Sequence, residues 1–261
     1  RIRLINLREL RTHRLRVLTS LSVVVVSSAL LIAVLGTYGS MTESVRQFNA
    51  SISGAAKLEV TAIGDAGLDA GIAGEIRARV PGARAVVPMV RGTARIGPDT
   101  TAGGAGDDDR TVPLLGSDFR VSSLSGDLRK AVADSGNQEG FSRDELADGV
   151  IVGPRTGLTK GQTATVNGTV VTVLDVVSGD TLNGGAFMFA YLDLAQRLTA
   201  TQGKLDSVLI VPRDGVPVAQ LRTEITRIVD GRAAVVDPGY RAKQLETATS
   251  VTRDATLLVS L

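Results

Sequence analysis

Cysteine and tryptophan are both absent from the 261 residues, histidine occurs once, and aromatic side chains make up only 3% of the chain. Each shortage removes a class of answer. Without cysteine there is no disulfide framework and no thiolate metal site, so any folded part must be held by its own apolar core. With no tryptophan, three tyrosines and five phenylalanines, a stacking platform for bases or sugars has little to be built from. The single histidine, His13, lies in the N-terminal stretch. No Ser-His-Asp triad and no histidine-rich metal site therefore exists in the remainder, and most hydrolase chemistries fall with them.

What is present is unevenly placed. Residues 1–16 carry six arginines and one glutamate, leaving 23 basic and 26 acidic groups beyond them. The formal net charge of +2 thus belongs to the N-terminal end and does not describe a nucleic-acid-binding surface. From Val17 to Thr42 there is no charged residue, and the stretch Leu18 to Leu35 is apolar enough to cross a bilayer, for which roughly 20 residues suffice. The positive-inside rule places Arg8, Arg11, Arg14 and Arg16 on the cytoplasmic side, and everything after Glu43 on the other. A cleavable signal peptide is the alternative. It has an apolar core of roughly 7–15 residues and a small-x-small cleavage site, and Gly36-Thr-Tyr-Gly-Ser-Met41 is a poor context for cleavage. Ile2, Leu4, Ile5, Leu7 and Leu10, interleaved with arginines, suit an amphipathic helix in the interface plane. Ala29, Ala33, Gly36 and Ser40 recur along one face of the span. Close approach of a second helix and ordinary small-residue abundance both account for them.

Val45, Phe48 and Ile52 continue a helical period outward, predicting a stalk to about Gly54. Tyr240 to Thr256, with Leu245, Thr249 and Thr252 on one face, predicts a returning stalk. The final run Thr256-Leu-Leu-Val-Ser-Leu261 reads as the opening of a second membrane helix in a chain cut at both ends, the alternative being a helix docked on the domain core. Between the stalks two segments share a layout in which the hydrophobic period switches from strand to helix and back. One is the strand Lys57–Ile63, a helix from Asp69 with Leu68, Ile72, Ile76 and Val80, and the strand Ala83–Val90. The other is the strand Ser207–Pro212, a helix with Val218, Leu221, Ile225, Ile228 and Val229, and the strand Ala233–Asp237. Interleaved, the two halves make a four-stranded sheet with both helices on one face, a split ferredoxin-like unit.

The intervening stretch is richer in strands and turns. Asn167-Gly168, flanked by alternating β-branched residues, predicts a hairpin. Further strands are expected at Gly149–Val152 and Ala186–Tyr191, with a helix at Leu192–Thr199, while residues 97–110 and 134–140 lack any period and read as mobile. The fold class expected is α+β, a membrane helix and helical stalks carrying an extracytoplasmic domain of two βαβ halves around a β-rich inserted subdomain. Its parts are 1–16, a basic cytoplasmic segment; 17–54, the first membrane helix and stalk; 55–110, the first half; 111–201, the insertion; 202–238, the second half; and 239–261, the return.

Two motifs invite and fail a chemical reading. Gly157-Leu-Thr-Lys160-Gly161-Gln162-Thr163 has its lysine before the second glycine, whereas a phosphate loop needs it after; a turn leading into the hairpin is the better reading. Gly103-Gly-Ala-Gly-Asp107-Asp-Asp109 lacks the alternating ligands and closing glutamate of a calcium loop. Asp144-Glu145 and Asp175 stand apart in sequence. No residue is nominated as catalytic, cofactor-binding or metal-ligating.

The order of parts resembles the MacB/FtsX-like permease subunits of ATP-binding-cassette transporters, in particular their periplasmic core domain. The resemblance is carried by Asn6-Leu-Arg-Glu-Leu-Arg-Thr-His-Arg-Leu-Arg-Val-Leu-Thr-Ser-Leu21, Val112-Pro-Leu-Leu-Gly-Ser-Asp118 and Gly149-Val-Ile-Val-Gly-Pro-Arg-Thr-Gly-Leu-Thr-Lys-Gly-Gln162. The hairpin with Leu174-Asp-Val-Val177 and Lys204-Leu-Asp-Ser-Val208 complete it. It implies a bacterial membrane protein that transmits movement and has no active site of its own. A separate cytoplasmic ATPase dimer would bind ATP and Mg, a second permease copy or half would complete the pore-side assembly, and membrane lipids would surround it, with no nucleic acid. The outer domain would export or extract a lipid, lipoprotein, peptide or drug, or activate an external partner. The alternatives are a membrane-anchored extracytoplasmic sensor or ligand-binding domain and, third, a secreted scaffold.

Overall fold

The computed structural model describes residues 19, 21–30, 32–33, 51–64, 66–97, 110–133, 141–177 and 182–240. The chain divides into two units, residues 1–45 and 46–261. In the first, residues 21–30 and 32–33 are helical and exposed, Ala29 and Ala33 among them. Leu21, the four valines Val23 to Val26, Leu30 and Ile32 are each more than half exposed, at 58–69%. Among the described residues no helix is long and apolar enough to cross a membrane. Arg8, Arg11, Arg14, Arg16, Gly36, Ser40, Val45, Phe48 and Leu245 lie outside the described residues, as do 134–140 and all but the two end residues of 97–110, the stretches read as mobile.

The second unit is built on one nine-stranded sheet of order β11-β1-β10-β3-β4-β8-β5-β7-β6. Its first four strands are β11 (Ala233–Val236), β1 (Leu58–Ala62), β10 (Ser207–Pro212) and β3 (Ala83–Ile96), all antiparallel to their neighbours. This is the interleaved ferredoxin-like arrangement, with helices α1 (Gly71–Arg79) and α5 (Val218–Val229) crossing between alternate strands. Both helices pack on the same sheet face. Ile72, Ile76, Leu221, Ile225 and Val229 meet Leu58, Val60, Val86, Val90, Val208 and Ile210 in one core. The opposite face is buried too, with Ala85, Val87, Met89, Leu209 and Val211 in a second core. Strands buried on both faces lose the polar alternation of a half-solvated sheet, hence the unbroken apolar run of β10.

The second core is covered by residues 51–53, the helical end of the stretch expected to run to about Gly54, and by two elements with no helical period strong enough to read from sequence, a 3-10 turn at Phe119–Ser123 and α2 (Asp127–Ala133). Together they contribute Ile52, Val121, Leu124, Leu128 and Ala131. One helix begins later than its pattern suggested. Leu68 and Asp69 form a short strand β2 paired with β9 (Lys204–Leu205), and α1 starts at Gly71, because Leu68 reaches the core through Leu205 rather than through a helical face.

Strand β3 runs on to Ile96 instead of ending near Val90. Its second half pairs with β4 (Arg110–Ser117), followed by β8 (Met188–Tyr191), β5 (Gly149–Val152), β7 (Thr169–Val176) and β6 (Thr163–Val166). β6 then meets β3 again at Ile96↔Val166, which closes a ring of six strands. Two of its junctions, β4–β8 and β5–β7, are parallel. Inside the ring lie Ala94, Ile96, Leu114, Val150, Val152, Ala164, Val166, Val171, Val173, Met188 and Ala190, continuous with the first core and joined by Leu194, Ala195 and Leu198 of α4 (Leu192–Leu198).

The Asn-Gly hairpin seals this ring. Asn167 and Gly168 have φ of +49° and +81°, as a type I′ turn demands. The Asn167 side chain also leaves the hairpin. Its Oδ1 accepts the Arg95 amide at 2.8 Å, and its Nδ2 donates to the carbonyls of Thr93 and Leu198 at 2.8 and 2.9 Å. Asn167→Gly keeps the turn conformation and removes all three bonds. It is expected to lower unfolding free energy by about 1–3 kcal/mol, measured by urea denaturation.

On the free edge of the sheet, Arg222 of α5 donates to the outward carbonyl of Val235 at 3.0 Å and pairs with Asp237 at 2.6 Å. Occupying an edge acceptor in this way guards the strand against pairing with another chain. At the other end of α5, Arg232 makes a two-point contact with Glu75 of α1, at 3.0 and 2.6 Å. That contact holds the Glu75 carboxyl below its ordinary value of 4.5. A depressed carboxyl contributes stability above its unfolded value and loses it as pH falls through the folded one. Wild-type thermal stability is therefore expected to fall more steeply than that of Glu75→Gln as pH drops from roughly 5 to 3, read from melting curves across that range.

Candidate functional site

The chain joins the sheet at Leu58 and leaves it at Val236, and these two points are neighbours. β1 and β11 are adjacent and antiparallel, with Glu59 opposite Val236. In an interleaved four-strand order the first and last strands always lie side by side, so whatever precedes residue 58 and follows residue 236 is held at one place.

On the arriving side, residues 51–53 are helical and Ile52 is fully buried in the second core. The helix ends at Gly54, where φ is +50°. A Cβ there would sit 1.6 Å from the Ser125 carbonyl oxygen, and one on Gly126 would sit 2.6 Å from that of Ser51. Two glycines thus let the arriving backbone lie directly on the backbone that opens α2. Left-handed φ and absent side chain are both needed at Gly54.

On the departing side, Asp237-Pro-Gly-Tyr240 makes a turn closed by the Tyr240 amide on the Asp237 carbonyl at 3.1 Å, and Tyr240 is helical. The Gly239 amide donates to Glu59 Oε2 at 3.0 Å. The other carboxylate oxygen of Glu59 accepts from Arg91 Nη1 at 3.1 Å. The Glu59 side chain is 6% exposed and that of Arg91 25%. The Arg91 amide donates to Asp206 Oδ2 at 2.7 Å, and the Asp206 amide donates to the Met89 carbonyl at 2.9 Å. Thr61 Oγ1 donates to the Asp206 carbonyl. Strand alternation places Glu59 and Arg91 on the face of the second core, where Ser207 also lies. The buried Ser207 Oγ and Arg91 Nε make no hydrogen bond to protein.

Other polar groups are occupied locally. Asp144-Glu145 opens α3 (Arg143–Asp148), where Glu145 and Ser142 form a reciprocal capping box. The loop once considered for phosphate is a turn with Gly161 at φ +80°, Gln162 bonded to Thr159, and Lys160 3.5 Å from Asp175. Among the described residues no three acidic or histidine side chains converge as a metal site. An open depression of about 540 Å³ lies at the ring seam, lined by Thr93, Arg95, Thr111, Thr165 and Asn167.

Of the residues singled out from sequence, Ile52 falls at this junction. Gly54 was expected as the end of the arriving helix, while Glu59, Arg91, Asp206 and Gly126 were missed. One signal was legible: a glutamate between Leu58 and Val60 in an expected strand, which needs a partner for its charge if the strand is buried on both faces, as it is. The partner, from another strand, was not legible.

No family profile matches the sequence, and no curated relative matches it. Solved structures do. The extracellular domain of the noncanonic ABC-type transporter YknZ from Gram-positive bacteria matches at a TM-score of 0.53 and 12% identity, over 70% of this chain and 99% of that one. The periplasmic region of MacB from Actinobacillus actinomycetemcomitans matches at 0.50 and 11%, over 75% of this chain and 94% of that one. The chain has the fold of the outer domain of MacB-like ABC permeases. That MacB-like fold is where the junction sits, with the arriving and departing strands side by side.

Two substitutions test the arriving side. Ile52→Ala is expected to cost about 2–5 kcal/mol, as for a fully buried isoleucine. Gly54→Ala, with only one methyl added, is expected to destabilise by more than about 1 kcal/mol. Chemical denaturation monitored by circular dichroism measures both.

Proposed function

We propose that the chain is a permease subunit of a MacB-like ABC transporter, in which the nine-stranded unit is the extracytoplasmic domain. The observation that carries this reading is the fold itself, taken with the adjacency of Leu58 and Val236. Two helical stalks leaving the membrane side by side would meet the domain at one place. The helical residues 21–30, whose leucines and valines are exposed, support the reading, since a lipid surround removes the cost of exposing them to water. Arg8, Arg11, Arg14 and Arg16 then face the cytoplasm, where an ATPase dimer binds ATP and Mg. Ala29, Ala33, Gly36 and Ser40 face a neighbouring helix, and Val45, Phe48, Ile52 and Leu245 belong to the stalks. A second permease copy or half and the membrane lipids complete the assembly. The cargo class is a lipid, lipoprotein, peptide or drug, moved or released outside the membrane. Catalysis belongs to the ATPase, and this chain transmits movement.

The sensor reading has one observation in its favour, the open depression at the ring seam with its three threonine hydroxyls and one arginine. The same experiment separates the two. The membrane-embedded chain is purified with its partners, and ATP turnover is compared for wild type, Phe48→Asp and Leu245→Asp. The permease reading expects a cassette ATPase to co-purify and its turnover to change by about fivefold or more. A chain that brings no ATPase, or turnover unaffected by both substitutions, overturns it.

A further inference from the structure

Glu59 is a charged residue in the middle of a strand whose every position is buried. Its partner is two strands away. β10 lies between β1 and β3, and in register Glu59 faces Leu209, which faces Val87, so Arg91 reaches Glu59 Oε1 diagonally, from four residues further along β3, at 3.1 Å. The second oxygen takes the Gly239 amide at 3.0 Å. One carboxylate therefore bonds directly to two segments that β1 does not itself pair with: β3, which β10 separates from it, and the departing turn, which begins just after the Glu59↔Val236 rung.

Arg91 is held at both of its ends. Its guanidinium is on Glu59, and its amide is on Asp206, whose own amide bonds the Met89 carbonyl. The position matters because β3 changes partners there. The pairing with β10 ends at Met89, opposite Ser207, the first residue of β10, and from Met89 to Ile96 β3 pairs with β4 as a strand of the closed ring. Arg91 lies two residues beyond Met89, where the rungs to β10 end and those to β4 begin. Asp206 supplies there, through its side chain, a rung that the β10 ladder no longer provides.

We propose that Glu59 is a clasp that couples the departing turn at Pro238–Tyr240 to β3, so that displacement of that turn is delivered through Arg91 to the six-stranded ring. The clasp deepens the permease reading by assigning the side chain through which the outer domain receives movement, and it rests on that reading only for the source of the movement. Glu59 and Arg91 are positioning residues in this account. A plain stabilising pair would weaken the sheet around it evenly, whereas a clasp ties the freedom of Gly239 to a residue it does not touch.

Amide hydrogen exchange in the full chain tests this, with Glu59→Gln, Arg91→Met and the double substitution compared with wild type. Glu59→Gln is expected to speed exchange of the Gly239 amide by about tenfold or more, the loss expected when a charged acceptor becomes a neutral one. The amides of Leu209 and Ile210 should change much less. Arg91→Met is expected to alter Gly239 exchange by about threefold or more without touching it, and the double substitution should do no more than the larger single one. Gly239 exchange unchanged in Glu59→Gln, or effects of the two substitutions that simply multiply, would overturn the clasp. Where Arg91→Met does not fold, Arg91→Lys keeps the cation and removes the planar fork; it should shift Gly239 exchange in the same direction, and no shift counts against the clasp. Absence of a co-purifying ATPase bears on the permease reading alone, and the exchange of Gly239 still decides the clasp.

Discussion

Strand β3 has to be complementary to three partners along 14 residues, and the rest of the second unit follows from how it manages that. It pairs with β10 from Ala83 to Met89, with β4 from Met89 to Ile96, and with β6 at Ile96. Its residues encode the change of partner. Pro88 has no amide hydrogen to donate, and it stands just before the first β4 rung, at Met89↔Ser117. Its carbonyl instead accepts the Ser117 hydroxyl at 2.8 Å. A proline is tolerated in a strand where no ladder bond is asked of its nitrogen. Gly92, four residues on, lies where α4 ends against the strand: a Cβ there would meet Thr199 Cγ2 at 2.5 Å. A side chain at that position would have to displace the Thr199 methyl.

The same strand makes the two parts of the sheet one object. The first core runs from α1 and α5, under β3, into the ring interior without a break. Close-packed interiors deform little and pass displacement on, so the ring has no soft layer separating it from the four-stranded part. What remains free to differ is the junction at Leu58 and Val236, where the backbone ladder stops and single side chains take over. The arriving side is fixed by backbone contact at Gly54 and Gly126 and by a buried Ile52. The departing side is fixed by the Glu59 carboxylate on the Gly239 amide, by Arg222 on Asp237 and by the turn bond from the Tyr240 amide to the Asp237 carbonyl. The arriving side thus rests on backbone contact and the departing side on side-chain and turn bonds.

Local chemistry made part of this legible in the sequence. The Asn167-Gly168 hairpin was readable because positive φ at two successive positions leaves few residue choices. β10, α5 and β11 were readable because their period switches cleanly within thirty residues of chain, and their interleaving with the first half follows from topology. The ring closure was not readable. β3 beyond Val90 alternates Arg91, Thr93 and Arg95 with Gly92, Ala94 and Ile96, a pattern that describes a half-solvated strand without saying which strand it meets. The parallel pair β4–β8 joins residues more than seventy positions apart, and no turn signal announces it. Helices α2 and α3, at seven and six residues, are too short for a period to stand out.

The Glu59–Arg91 pair is hard to justify as a source of stability. Removing two charges from water costs several kcal/mol per ion, and well-packed apolar residues of similar size do as well or better in such places. β1 is apolar at every other core position except Thr61, so an aliphatic residue at 59 would suit its surroundings. What an aliphatic side chain lacks is direction. It would fill the space between β1 and the second core, but it would accept neither the Gly239 amide nor a guanidinium from two strands away. A carboxylate has two acceptor oxygens, and here one takes the Gly239 amide and the other the Arg91 guanidinium, each at hydrogen-bonding distance. The pair is best understood as geometry obtained at some expense of stability, which is the expected bargain at a point whose task is to hold position.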